Sequence, residues 1–160
     1  MSMIGCYMSL TREDVQKLVE DENYVEDLLE DGGGDRQTLE IEKSWQGIHF
    51  VLNGDPWDGS GPLHNAVLGG KEIGEDLGYG PARLLTPDEV TETARALEAI
   101  SVQEFQKRTE SSDFSSADIY VYSAEDPSEI SSELTEYFTE VRSFFNDAAK
   151  RHDGMLLYLS

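Results

Sequence analysis

The stretch 39–52, LEIEKSWQGIHFVL, changes its period part-way along. Leu39 and Ile41 alternate with acids, as on a half-buried strand. From Trp45 the apolar positions become Trp45, Ile48, His49 and Leu52, spaced i, i+3, i+4 and i+7 on one helical face. Phe50 and Val51 add apolar groups on the other side, so the reading is a buried helix. Gly47 inside it costs about 1 kcal/mol against Ala, which points to close approach of another element. A chain that enters this helix from an extended segment contains both kinds of element. The rest of the sequence decides how they are arranged.

Outward from the helix, turn residues frame it. NGDPWDGSGP (53–62) is a loop, and LHNAVLGG (63–70) gives a turn or two of helix. Residues 69–80 hold Gly69, Gly70, Gly74, Gly78 and Gly80, which suggests an ordered loop or a set of tight turns. ARLL (82–85) follows as a short strand. Thr86, Pro87 and Glu89 form a capping box with proline at the first helical position. Val90, Ala94 and Leu97 are the buried stripe of the helix they start. Ser101 and Glu104 repeat the pattern, before KRTESSDFSSAD (107–118), a polar loop.

Toward the N-terminus, MIGCYMSL (3–10) is a strand. Thr11 and Asp14 cap a helix with Val15, Leu18 and Val19 inward. A second helix over 22–30 buries Val25, Leu28 and Leu29 and ends at DGGGDR. Toward the C-terminus, IYVY (119–122) is β-prone. A long helix over 128–152 carries Leu134, Tyr137, Phe138, Val141, Phe144, Phe145, Ala148 and Ala149. Lys150, Arg151 and His152 lie in its last turn, where cations suit the helix dipole. Gly154 stops it, and MLLYL (155–159) is the closing strand. The fold class is α+β: a single domain over 1–160, several helices packed on a small sheet that includes the N- and C-terminal strands. Those two strands pair, because each is the most apolar short run available.

Charge excludes several functions. The formal net charge is -21, from 12 Lys and Arg against 33 Asp and Glu. Such a surface does not displace counterions from a nucleic acid, nor bind an anionic membrane. It attracts cationic partners. Residues 13–42 hold twelve acids against Lys17 and Arg36, and residues 111–140 hold eight acids and no base. These two lobes flank a milder centre. The single cysteine, Cys6, rules out an internal disulfide framework and suggests the cytosol. Neither a signal sequence nor a membrane span is evident.

No motif carries chemistry. Lys71 follows Gly70 but precedes Glu72, so GGKEIG is no phosphate loop. GEDLGYG lacks the dinucleotide spacing. His49, His64 and His152 form no metal pattern, no calcium loop is present, and no cofactor is implied. Cys6 reads as inert packing in a strand. His49 could serve as a general acid or base in a pocket with Trp45, Asp76, Tyr79 and Arg83. It could equally fill core, with one ring nitrogen on a backbone carbonyl. Arg83 is expected to pair with Asp76 or Glu75.

MSMIGCYM, LEIEKSWQGIHFVLNG, PLHNAVLGGKEIGEDLGYGPARLLTPDEV and AAKRHDGMLLYLS together resemble the YfbM-like family of small bacterial proteins, from end to end of the chain. The resemblance implies one intracellular α+β domain and supplies no catalytic residues. The leading functional expectation is a non-enzymatic acidic protein that docks a cationic partner, such as a basic protein. The alternative is a small-ligand or enzymatic site at Trp45, His49 and the Gly69–Arg83 loop. A third is that these residues only stabilise the fold.

Overall fold

A computed structural model describes residues 3–114, 116, 117, 119 and 126–160. Strand β1 (Gly5–Leu10) leads into helices α1 (Arg12–Glu20) and α2 (Tyr24–Glu30). Strand β2 (Thr38–Glu40) and one 3-10 turn (Glu42–Ser44) precede α3 (Trp45–Asn53) and the short α4 (Pro62–Asn65). Strands β3 (Lys71–Asp76) and β4 (Pro81–Leu85) form a hairpin. Helices α5 (Pro87–Glu98), α6 (Val102–Ser111) and α7 (Pro127–Lys150) follow, and β5 (Gly154–Leu159) closes the chain.

The five strands make one antiparallel sheet in the order β2-β1-β5-β4-β3. The terminal strands pair at its centre, from Gly5 opposite Leu159 to Leu10 opposite Gly154. Both faces of the sheet are covered. Tyr7, Leu85, Met155 and Leu157 point into the larger core, against α3, α5, α6 and α7. Met8, Leu10, Ala82, Leu84 and Leu156 point to the other face, where Leu18 of α1 and Val25 and Leu28 of α2 cover them. Strands covered on both faces read as continuous apolar runs, and β1 is buried at all six positions.

Caps fix where helices begin. The Thr11 and Thr86 side chains accept from the backbone N–H of Asp14 and Glu89, and those carboxylates accept from the cap N–H in return. Ser101 accepts from the Glu104 N–H. In α7, Leu134, Phe138, Val141, Phe145 and Ala148 are buried, and Tyr137, Phe144 and Ala149 pack partly buried against them. Phe105 of α6 stacks on Phe138 with ring centroids 4.0 Å apart.

Four expectations need correction. Residues 71–76 form a strand rather than a loop: the glycines around them make a bulge and a turn. Gly78 and Gly80 take positive φ, and the Asp76 carboxylate accepts from both their N–H groups. Helix α6 runs on to Ser111, because Thr109 turns inward and shares a hydrogen bond with Ser131 of α7. Val19 is 68% exposed, since α1 lies on the sheet along a stripe narrower than its apolar residues suggest. Helix α7 ends at Lys150 rather than 152, the chain turns away at His152, which takes φ 59°, and Gly154 belongs to β5. Beyond Ile119, the tetrapeptide at 119–122 lies outside the described residues.

Gly154 has no room for a side chain. A Cβ there would lie 2.6 Å from Val15 Cγ2 and 2.9 Å from the Leu85 carbonyl oxygen. The backbone atom cannot yield, so Gly154→Ala should destabilise the fold by about 2 kcal/mol, as overpacking does. Chemical denaturation of the two proteins checks this: equal midpoints would show that β5 can shift.

Candidate functional site

The expected cluster comes together only in part. Trp45 and His49 are both fully buried on α3. The Trp45 indole N–H donates to the Met3 carbonyl at 2.8 Å. His49 Nε2 lies 3.1 Å from the Asp58 carbonyl, an acceptor, so Nε2 carries the proton. Nδ1 then accepts from the Asn53 side-chain amide at 3.2 Å. That amide also donates toward the carbonyls of His49 and Leu63. This network requires a neutral imidazole. Burial above all, with His64 and Arg83 nearby, holds the His49 pKa below its ordinary 6.5, against the opposing Asp58 carbonyl and Asp55.

Arg83 has no carboxylate within 4 Å among the described residues, so the expected pair with Asp76 or Glu75 is not made. Its guanidinium donates to the carbonyls of Val67 and Gly69 at 2.8 and 3.0 Å. The Tyr7 hydroxyl donates to Ala66 alongside. Together they satisfy the carbonyls that follow α4, which would otherwise be stranded in the core. Asp76 and Tyr79 stand apart, in the β3–β4 turn. The crevice between Tyr7, Trp45, Val67 and Arg83 is too narrow to admit a water molecule. His49 and Arg83 therefore act as fasteners of the 54–70 segment, and Trp45 ties α3 to Met3, just before β1.

The open cavity lies elsewhere. An open cleft of about 840 Å³ sits where β1 ends, β5 begins and the 31–37 loop crosses α1. Asp14, almost fully buried, forms its floor. Arg36 Nε and Nη2 grip the two Asp14 oxygens at 2.7 Å each, in fork geometry. The Tyr24 hydroxyl and the Thr11 N–H also donate to Asp14, and Arg36 Nη1 donates to the Gly33 carbonyl. On the opposite wall, Asp153 Oδ2 accepts from Ser9 and from Arg151 Nε, at 2.8 and 2.9 Å. Arg151 Nη2 donates to Ser9 Oγ. Asp31 and Asp35 line the rim without an ion pair. A second groove, about 360 Å³, runs between α1 and α2 past Glu20, Asp21, Glu26 and Asp27. It shares Lys17 and Tyr24 with the cleft, and the Lys17 ammonium lies 5.3 Å from the Tyr24 ring centre.

Ser9 faces a carboxylate already held by a guanidinium, which is a poor base for a nucleophile. Among the described residues no group of three or more His, Cys, Asp or Glu side chains could hold a metal ion. Sequence reasoning missed the cleft. Its signal was Arg36, one of only two bases in an acid-rich segment, with Asp14 treated only as a cap.

Two measurements follow. Arg36, with its paired hydrogen bonds, holds the Asp14 carboxyl at about 2, against 3.8 for the free group. A depressed carboxyl stabilises the fold above its unfolded value and loses that contribution as pH falls through the folded one. Asp14→Asn should thus lower stability at neutral pH by about 2 kcal/mol, as loss of a charged hydrogen bond does. The difference from the native chain should shrink between pH 4 and 2. His49→Ala should cost about 3 kcal/mol, since it opens a cavity and strands the Asn53 amide and the Asp58 carbonyl. Thermal melting that left this variant unchanged would contradict the fastener role.

Comparison with known proteins agrees with this picture of the fold. The crystal structure of YfbM from Escherichia coli, a protein of unknown function, superposes with a TM-score of 0.77 at 22% identity. The match covers 99% of this chain and all of that one. No curated protein matches the sequence. The profile of the domain of unknown function DUF1877 matches residues 1–158, and the chain belongs to that family.

Proposed function

We propose that the protein is a non-catalytic binding module of the cytosol that docks a basic protein on its α1–α2 layer. One observation carries the reading. Every acid of residues 13–42 except Asp14 is exposed, and of these only Glu13 has a cation within 4 Å, Lys17 at 3.4 Å. Like charges on adjacent turns repel, so this layer is less stable for them. A cationic partner relieves that repulsion and gains rate from the attraction. The grooves give the surface relief: a basic side chain can enter between Asp31 and Asp35, or beside Tyr24 where Lys17 now lies. The small-ligand alternative at Trp45, His49 and the Gly69–Arg83 loop has no comparable support, because Trp45 and His49 are fully buried and the crevice between Trp45 and Arg83 does not admit even a water molecule. No helix among the described residues is long and apolar enough to cross a membrane.

The test is retention of basic proteins from a cell extract by the immobilised chain and by a Glu22→Gln, Glu26→Gln, Asp27→Asn variant. These three acids are exposed and hold no ion pair, so the variant keeps its fold. The native chain should retain a basic partner that the variant releases at lower salt. Partners that are neutral or acidic, bound independently of salt, would refute the proposal.

A further inference from the structure

The loop 54–61 is held on α3 by two side chains: His49 at Asp58, and more weakly Gln46, whose Nε2 lies 3.5 Å from the Pro56 carbonyl. Asp58 offers its carbonyl to the His49 Nε2–H, and Asp55 Oδ1 accepts from the N–H groups of Trp57 and Asp58 to shape the turn. Trp57 stands on this turn, 57% exposed, with its ring 5.8 Å from that of buried Trp45. Behind the fastener, the His64 ring of α4 meets His49 edge to face at 5.2 Å. Nδ1 of His64 is buried without a hydrogen-bond partner.

The charged groups around this pair are unbalanced. Arg83 of β4 brings a guanidinium with no carboxylate within 4 Å among the described residues, and Glu72, opposite it on β3, acts on it only from farther away. Asp55 and Asp58 of the loop bring carboxylates, and neither makes an ion pair with either ring. From α3 itself comes only the Asn53 amide, which presents N–H to His49 Nδ1. A proton added to His49 would set N–H against N–H there, since both groups would then be donors. A proton on His64 would place a second cation against the His49 ring, with Arg83 repelling it.

We infer that His49 and His64 form a proton-operated latch on the 54–61 loop, closed while both rings are neutral and released when the pair takes up a proton. The sign follows from linkage. In the closed state burial, with Arg83 beside both rings, holds each histidine below 6.5. In the open state the rings are hydrated and return toward 6.5. Protons thus bind the open state more strongly, and opening grows as pH falls below about 6.5. One linked proton gives an increase approaching tenfold per pH unit, and two give a steeper rise. Release frees Trp57 from Trp45 and bares the apolar wall of α3, so the latch converts acidity into an exposed aromatic surface.

The experiment is native-state hydrogen exchange on the full chain between about pH 8 and pH 5, corrected for the intrinsic pH dependence of exchange, with tryptophan emission in parallel. Amides of 54–61 should lose protection as pH falls, while those of β1 and β5 keep theirs, and emission should shift to the red. In the double variant His49→Gln, His64→Gln the loop should show no such pH dependence, because glutamine can still donate to Asp58 but takes up no proton. If that variant fails to fold, His64→Gln alone decides. Without its neighbour's repulsion the closed state tolerates a proton on His49 better, and one of the two linked protons is gone, so loop opening should rise less steeply as pH falls than in the native chain. Loop protection in the native chain that is flat with pH, a loss shared equally by β1 and β5, or a pH dependence in His64→Gln as steep as the native one would each overturn the latch.

Discussion

The pairing of β1 with β5 is the constraint on which the rest depends. The two ends of the chain meet as neighbours at the centre of the sheet, six residues in register. Closing so long a loop costs entropy, though only logarithmically in its length. The return is a pair of strands buried on both faces, and each face then needs its own cover. The Thr11 cap turns the chain onto one face immediately after β1, and the Thr86 cap turns it onto the other after β4. The same pairing brings Ser9 to Asp153 and Arg151, 144 and 142 residues away in sequence. The wall of the open cleft is thus a by-product of the register, and a slip of one residue would turn Ser9 to the opposite face.

Much of this architecture was legible because local signals agreed with global need. The capping boxes at Thr11 and Thr86 fixed helix starts, and the stripe from Leu134 to Ala148 identified α7. The apolar terminal runs read as strands and could be paired by elimination. Strand β3 was hidden, since Ile73 is its only buried residue and Gly74 with positive φ breaks its alternation. An edge strand needs little apolar surface, so it leaves little pattern to read. The extension of α6 was hidden for a related reason: its inward residue is Thr109, bonded to Ser131, and a polar residue in a core carries no hydrophobic periodicity.

The candidate site was legible in position but not in role. Spacing placed Trp45 and His49 on one face of α3, and that face is buried as expected. What spacing does not reveal is the partner of each polar atom. His49 found the Asp58 carbonyl and Arg83 found two carbonyls beyond α4. Both partners are backbone groups, and backbone groups leave no trace in residue identity. The cleft at Asp14 and Arg36 was illegible for the opposite reason: its residues are plain in the sequence, but the 31–37 loop had to fold across α1 before they formed a site.

Arg36 and Arg83 show where the excess of acid goes. Both guanidinium groups are partly or largely withdrawn from water, and withdrawing a charge is costly unless it is paired. Arg36 takes a fork of carboxylate bonds from Asp14. Arg83 takes only carbonyl dipoles, although acids outnumber bases in this chain by more than two to one. A chain that used its acids to neutralise interior cations would have placed one at Arg83. Instead the acids of 13–42, Asp14 aside, face outward, and the interior keeps a cation beside two histidines. The same choice therefore has two effects. It loads the α1–α2 surface with charge that only solvent or a cationic partner can balance, and it leaves near His49 and His64 a cation that adds to burial in keeping both rings neutral.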